Sequence, residues 1–95
     1  MPDKSLKEKL KNKFANLFEL PKDVVLDLPH ISMVGNIEFH LENHKGIIEY
    51  EENLIRIRIH KGQVLISGKE LMIEELTKVE VKIKGHIQDV IFKYH

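Results

Sequence analysis

The residues best suited to chemistry are three polar side chains at alternate positions, His40, Glu42 and His44. Alternate side chains of an extended strand share a face. Two imidazoles and a carboxylate would therefore stand together until the turn that follows disturbs the register. Such donors suit zinc or nickel, with a further position open for water. The same residues equally make a plain solvated face opposite Ile37, Phe39 and Leu41, and ligands beside a turn are poorly preorganised. The expectation is no bound metal and no cofactor. His30, His60, His86 and His95 have no partners that spacing can place, although six imidazoles make the surface charge sensitive to mild acid.

Other reactive groups are sparse. The hydroxyls are Ser5, Ser32, Ser67 and Thr77, none in a nucleophile-elbow context. There is no cysteine, which removes thiol catalysis, disulfides and zinc–thiolate sites. Glu51-Glu52 and Glu74-Glu75 fall in or beside turns, where carboxylates are usually solvated, and general acid work needs burial or a close like charge. Gly62, Gly68 and Gly85 stand singly, without a phosphate-binding loop. The chain is not expected to be an enzyme. For nucleic acid, Arg56, Arg58 and His60 share one strand face and Lys78, Lys82 and Lys84 another, while Phe39, Tyr50, Phe92 and Tyr94 offer stacking surfaces. Glu80 interrupts the lysine stripe, and most of those aromatics are better placed in a core, so nucleic acid is not expected as a partner.

The elements that position these groups divide in two. Ninety-five residues suit a single folded unit. Ser5 and Glu8 have capping-box spacing. Leu6, Leu10, Phe14 and Leu17 then recur on one helical face, with Lys7, Lys9, Lys11 and Lys13 around it. Pro21 ends the pattern. This predicts a basic amphipathic helix within residues 1–20, followed by an all-β body over residues 21–95. The division is also one of charge: Met1 to Lys22 carries six lysines against Asp3, Glu8 and Glu19, a balance of +3, and the remainder is −3. The lysine stems can cover apolar surface while their heads reach water. The eight residues from Leu6 to Leu17 named here are thus the candidate contacts for an anionic membrane surface or an acidic partner, or for the β body itself.

Beyond Pro21 the period is two. Val24, Val25, Leu26 and Leu28 suggest a first short strand, with Ile31 to Val34 its continuation up to a turn at Gly35-Asn36. Ile37, Phe39 and Leu41 alternate with polar residues; Ile47 to Tyr50 pairs back; Ile55, Ile57 and Ile59 follow, then Val64 to Ser67. Gly68 reads as a bulge or turn before Leu71 to Ile73. Val79, Val81 and Ile83 read as inward, and Gly85 precedes a last strand, Ile87 to Tyr94. An antiparallel meander forming a small sandwich or barrel-like body is expected, with a short β-solenoid as the alternative. Exposed edges at Ile37 to Leu41 or Ile87 to Tyr94 could pair between copies, giving a homo-oligomer. No apolar run is long enough to span a bilayer and no signal peptide is visible, which predicts a cytoplasmic location.

Several of these stretches resemble the YabP/YqfC family of sporulation proteins, and its YqfC branch in particular. They are Glu19 to Pro29, the hairpin from Gly35-Asn36 through Glu42-Asn43-His44-Lys45-Gly46 to Tyr50, Leu54 to Ile57, Gly62 to Gly68 with Leu71 and Ile73, and Gly85-His86-Ile87 with Ile91 and Phe92. Together they run from about Leu17 to Phe92, and their order and spacing carry the likeness. The resemblance implies a role in the mother-cell programme of endospore formation, the family's genes being commonly found beside one for a membrane protein of that programme. It carries across no catalytic residue. The expected function is a non-enzymatic adaptor or assembly module in the mother cell, with membrane association expected through its N-terminal segment; a self-assembling β scaffold and a small nucleic-acid-binding β module are the alternatives.

Overall fold

The computed structural model describes residues 26–95, so the amphipathic helix anticipated in residues 1–20 lies outside the described residues. Six strands follow in order: β1 (His30–Val34), β2 (Glu38–Glu42), β3 (Gly46–Tyr50), β4 (Leu54–Ile59), β5 (Gly62–Leu76) and β6 (Glu80–Tyr94). They form one antiparallel sheet in the spatial order β1-β2-β6-β5-β4-β3. The antiparallel β architecture matches the alternating pattern. The sheet is open, with β1 and β3 at its ends, so it closes into no barrel, and its antiparallel neighbours are not those of a solenoid.

Alternation fixes which side chains point inward. Phe39 and Leu41 of β2 lie opposite Ile83 and Val81 of β6, while Ile55 and Ile57 of β4 lie opposite Ile66 and Val64 of β5. All eight are completely buried, and with Ile59, Leu71 and Ile87 they make one apolar cluster. Both halves of the sheet therefore contribute to a single core.

The long hairpin of β5 and β6 joins those halves. Its register shifts between Ser67 and Gly68, between Lys69 and Met72, and between Ile73 and Glu75. Bulges of this kind bend a strand and tighten its twist. Glu70 (φ 52°) and Gly85 (φ 144°) take left-handed backbone conformations beside the shifts. Of the two readings of Gly68, the bulge holds and the turn does not, and Gly85 does not precede a separate last strand; each lies inside a continuous 15-residue strand, at its bend.

Other boundaries move as well. Leu26 and Asp27 form a turn, with Asp27 at φ 59°, and the first described strand starts at His30. Val24 and Val25, the other half of the expected opening strand, lie outside the described residues. Ile37 is 52% exposed because it closes the turn after β1, donating its N–H to the Val34 carbonyl at 3.1 Å. Val79 is likewise exposed, in the turn before β6. Of the four aromatics, most of them read as core, only Phe39 is buried; Tyr50, Phe92 and Tyr94 are exposed. Tyr50 uses its hydroxyl to accept the Ile73 N–H at 2.9 Å, and the rings of Phe92 and Tyr94 stack 6.2 Å apart.

Asp27 shows how the entry to the body is tied down. Its Oδ1 accepts from Asn43 Nδ2 at 2.9 Å and from Lys45 Nζ at 2.8 Å, and its Oδ2 lies 3.3 Å from His60 Nδ1. The bond from Lys45, then that from Asn43, holds the carboxyl below its ordinary range, with smaller help from the charges of Lys45 and His60. A carboxyl whose folded pKa is depressed stabilises the fold above its unfolded value of about 3.9. That stabilisation disappears as pH falls through the folded value. Asp27→Asn is therefore expected to lower the Tm near pH 7 and to lower it less at about pH 3, below the unfolded value, where the carboxyl's advantage is being lost. Thermal melts of both proteins at the two pH values check this.

Candidate functional site

The outer face of β1, β2 and β6 gathers the most chemically capable side chains among the described residues. Along β2, Glu38, His40 and Glu42 alternate with buried Phe39 and Leu41 and so stand on the outside. Across to β6, Glu38 faces Lys84, His40 faces Lys82 and Glu42 faces Glu80. Across to β1, His30 faces Glu42 and Ser32 faces His40. A shallow concavity of about 350 Å³ opens here, lined in part by Ser32, Glu38, His40, Glu75, Glu80 and Lys82.

The grouping differs from the one that spacing suggested. His40, Glu42 and Glu80 come together, their candidate ligand atoms all within 4.8 Å of one another. His44 does not join them. Its Nδ1 accepts the Gly46 N–H at 3.0 Å while its Nε2 lies 2.8 Å from the Thr77 carbonyl, which requires the proton on Nε2. Both ring nitrogens are thus engaged in joining the turn after β2 to the turn before β6. Strand parity up to the turn predicts His44 beside His40; in the structure the strand ends at Glu42, and Glu80 arrives from a strand far along the chain. Only the pairing of β2 with β6 could have revealed it.

The turn before β6 is held firmly. Thr77 donates its N–H to the Glu80 carbonyl at 2.8 Å, and its Oγ1 accepts the Glu80 N–H at 2.9 Å. The Val79 carbonyl accepts the Asn43 N–H at 2.6 Å and the His44 N–H at 3.3 Å. His44 and Thr77 are therefore the residues that place Glu80 beside His40, whose Nε2 lies 3.8 Å from the Glu80 carboxylate.

Two residues of the basic stripes, Arg56 and Lys84, are committed to neighbouring carboxylates. Arg56 donates to Glu49 at 3.2 Å and to Gln63 at 2.9 Å. Lys84 lies 3.0 Å from Glu74 and 3.7 Å from Glu38, and the Glu74 hydrogen bond, with Glu38 adding less, keeps its ammonium above the usual lysine range. Such pairing weakens the case for phosphate contacts at Arg56 and Lys84, whose cations already have counter-charges. Among the hydroxyls, Ser67 donates to Asp89 at 3.2 Å in an exposed cross-strand pair. The expected lipid- or partner-contacting residues Leu6, Lys7, Lys9, Leu10, Lys11, Lys13, Phe14 and Leu17 lie outside the described residues.

The edges of the sheet are a second feature of the site. β2 is not one of them, because it lies between β1 and β6, so strand pairing between copies through Ile37 to Leu41 is ruled out by its neighbours. The C-terminal half of β6 is different. From Ile87 to Tyr94 it runs beside β5, while the register with β2 ends at Lys84.

The pattern of the YabP family matches residues 27–95. The chain is also 38% identical over 85 residues, 90% of each chain, to an uncharacterized protein YqfC of Bacillus subtilis strain 168. No solved structure matches.

Proposed function

The chain belongs to the YabP family, and from that membership we propose that it is a non-enzymatic sporulation protein of the mother cell, an adaptor or assembly module working with a membrane-protein partner. The observation that carries this reading is the open sheet. Its edge strands β1 and β3 and the C-terminal half of β6 offer backbone and side-chain surface to another protein. The exposed apolar side chains Ile91, Phe92 and Tyr94 lie on that half of β6. The basic segment with Leu6, Leu10, Phe14 and Leu17 supplies, in the proposed arrangement, the contact with the anionic cytoplasmic leaflet.

The test is affinity capture with the full chain from detergent-solubilised membranes of sporulating and of vegetative cells. An integral membrane protein enriched from sporulating cells alone is the expected result. Capture of nothing, or of the same proteins from both, overturns the proposal.

A second reading, self-assembly into a β scaffold, is favoured by the half-paired β6. Pairing of two copies beyond Ile87, whose own backbone N–H and carbonyl already bond Asn36, and on to Tyr94 would satisfy the outward backbone groups of both. Light scattering across a wide concentration range decides it: growth of mass with concentration supports self-assembly, and a constant monomer mass removes it.

A further inference from the structure

Two carboxylates, Glu42 and Glu80, sit directly opposite each other on β2 and β6. Like charges so placed destabilise a sheet. Among the described residues neither has a lysine or arginine within ion-pair distance; Glu80 has only the His40 imidazole, at 3.8 Å. The nearest cation in register, Lys82, faces His40 rather than the two glutamates. The arrangement is therefore short of positive charge at one spot, and an imidazole nitrogen stands beside it.

We propose that His40 Nε2 and the carboxylates of Glu42 and Glu80 bind a divalent transition-metal ion of the zinc class. The donors are one borderline nitrogen and two anionic oxygens, a set that suits zinc and its neighbours and leaves a further position for water. Tetrahedral coordination at about 2.0–2.1 Å places ligand atoms about 3.3 Å apart. The His40 to Glu80 separation of 3.8 Å is within a small side-chain rotation of that spacing.

Preorganisation, the weakness of ligands beside a turn, is supplied here by the scaffold. His40 and Glu42 lie on β2, a strand paired on both sides. Glu80 is fixed by its two hydrogen bonds with Thr77, and that turn is braced in turn by His44. His30 faces Glu42 from β1, so a second imidazole stands on the same rung. Lys82 lies on the same face, but its flexible stem can carry the ammonium away into water. The ion would lock β2 to the start of β6 from outside, opposite the buried Leu41 and Val81 contact.

The test is titration of the full chain with zinc chloride near neutral pH, followed by calorimetry and by the Tm. The expected result is one ion per chain, a Tm raised by zinc, and affinity weakened at least about tenfold in His40→Ala and in Glu80→Gln. Glu80→Gln keeps the side-chain shape, and far-UV circular dichroism confirms its fold, so it decides the matter even if His40→Ala unfolds. His86→Ala and His95→Ala are exposed controls, expected to bind zinc as the parent does. Absence of saturable binding, an affinity unchanged in Glu80→Gln, or a loss in the controls instead would show adventitious binding to surface histidines only and overturn the proposal.

Discussion

Gly68→Val is expected to abolish cooperative folding, the largest effect of any single substitution in the β body. A Cβ built at Gly68 collides with the His86 carbonyl oxygen and comes within 3.1 Å of Ile87 Cα. Those are backbone atoms of the partner strand, so no side chain can rotate away. Overpacking ordinarily costs about 1–3 kcal/mol where side chains can adjust. Here the two longest strands must separate at their bend, next to the buried Leu71 and Ile87. Stability of a small domain lies near the low end of about 5–15 kcal/mol, which leaves little to absorb such a separation. Gly35→Asn is the informative contrast. Gly35 has a positive φ of 50° but open space where a Cβ would go, and asparagine tolerates the left-handed region. It should keep a sigmoidal melt within a few degrees of the parent, to an order of about 5 °C. Thermal melts by circular dichroism distinguish tight crossing from mere backbone conformation.

The second large effect is expected at Phe39. Its ring is fully buried between Met33 of β1 and Ile83 of β6 in register. Phe39→Ala should cost about 3–5 kcal/mol from lost burial and the cavity left behind. For a domain of this size, about 4–8 °C per kcal/mol converts that to a fall in Tm of more than about 12 °C. Phe92→Ala should behave differently. Phe92 is 46% exposed and its main partner is the stacked Tyr94 ring, an interaction worth about 0.5–1.5 kcal/mol. Urea denaturation of the two variants side by side gives both numbers. Equal losses would show that the C-terminal half of β6 is as much core as β2.

Much of the sheet was legible in the residues because burial on one face imposes a period of two. Phe39 and Leu41, then Ile55, Ile57 and Ile59, were read inward and are buried. The turns at Gly35-Asn36, Asn43 to Gly46 and Glu51 to Asn53 were equally plain, since asparagine and glycine supply positive φ at Asn43, Gly35 and Gly46. Strand continuity was not legible. A glycine within a strand looks the same in sequence whether it ends the strand or allows a close crossing, and only the partner backbone at His86 shows which applies to Gly68.

The candidate site was half legible for a related reason. His40 and Glu42 were visible as neighbours on one strand face. Glu80 was hidden because register between distant strands is set by the whole sheet, not by local spacing. The same pairing removed His44 from the group and gave it a bracing role. Tyr50, Phe92 and Tyr94 were misplaced because aromatic residues in alternating runs are usually core; Tyr50 closes the edge strand β3, and at Phe92 and Tyr94 the inner face of β6 outruns what packs against it.

The central functional claim is that the open β body and the basic segment before it join the protein to a membrane-borne partner. Co-purification from sporulating cells, comparing the full chain with one lacking Met1 to Phe18, tests it most directly. The account predicts an integral membrane protein recovered with the full chain and lost, or much reduced, with the shortened one. Recovery of the partner undiminished by the shortened chain would contradict the role given to Leu6, Leu10, Phe14, Leu17 and their lysines. Recovery of no membrane protein by either chain would contradict the adaptor function itself.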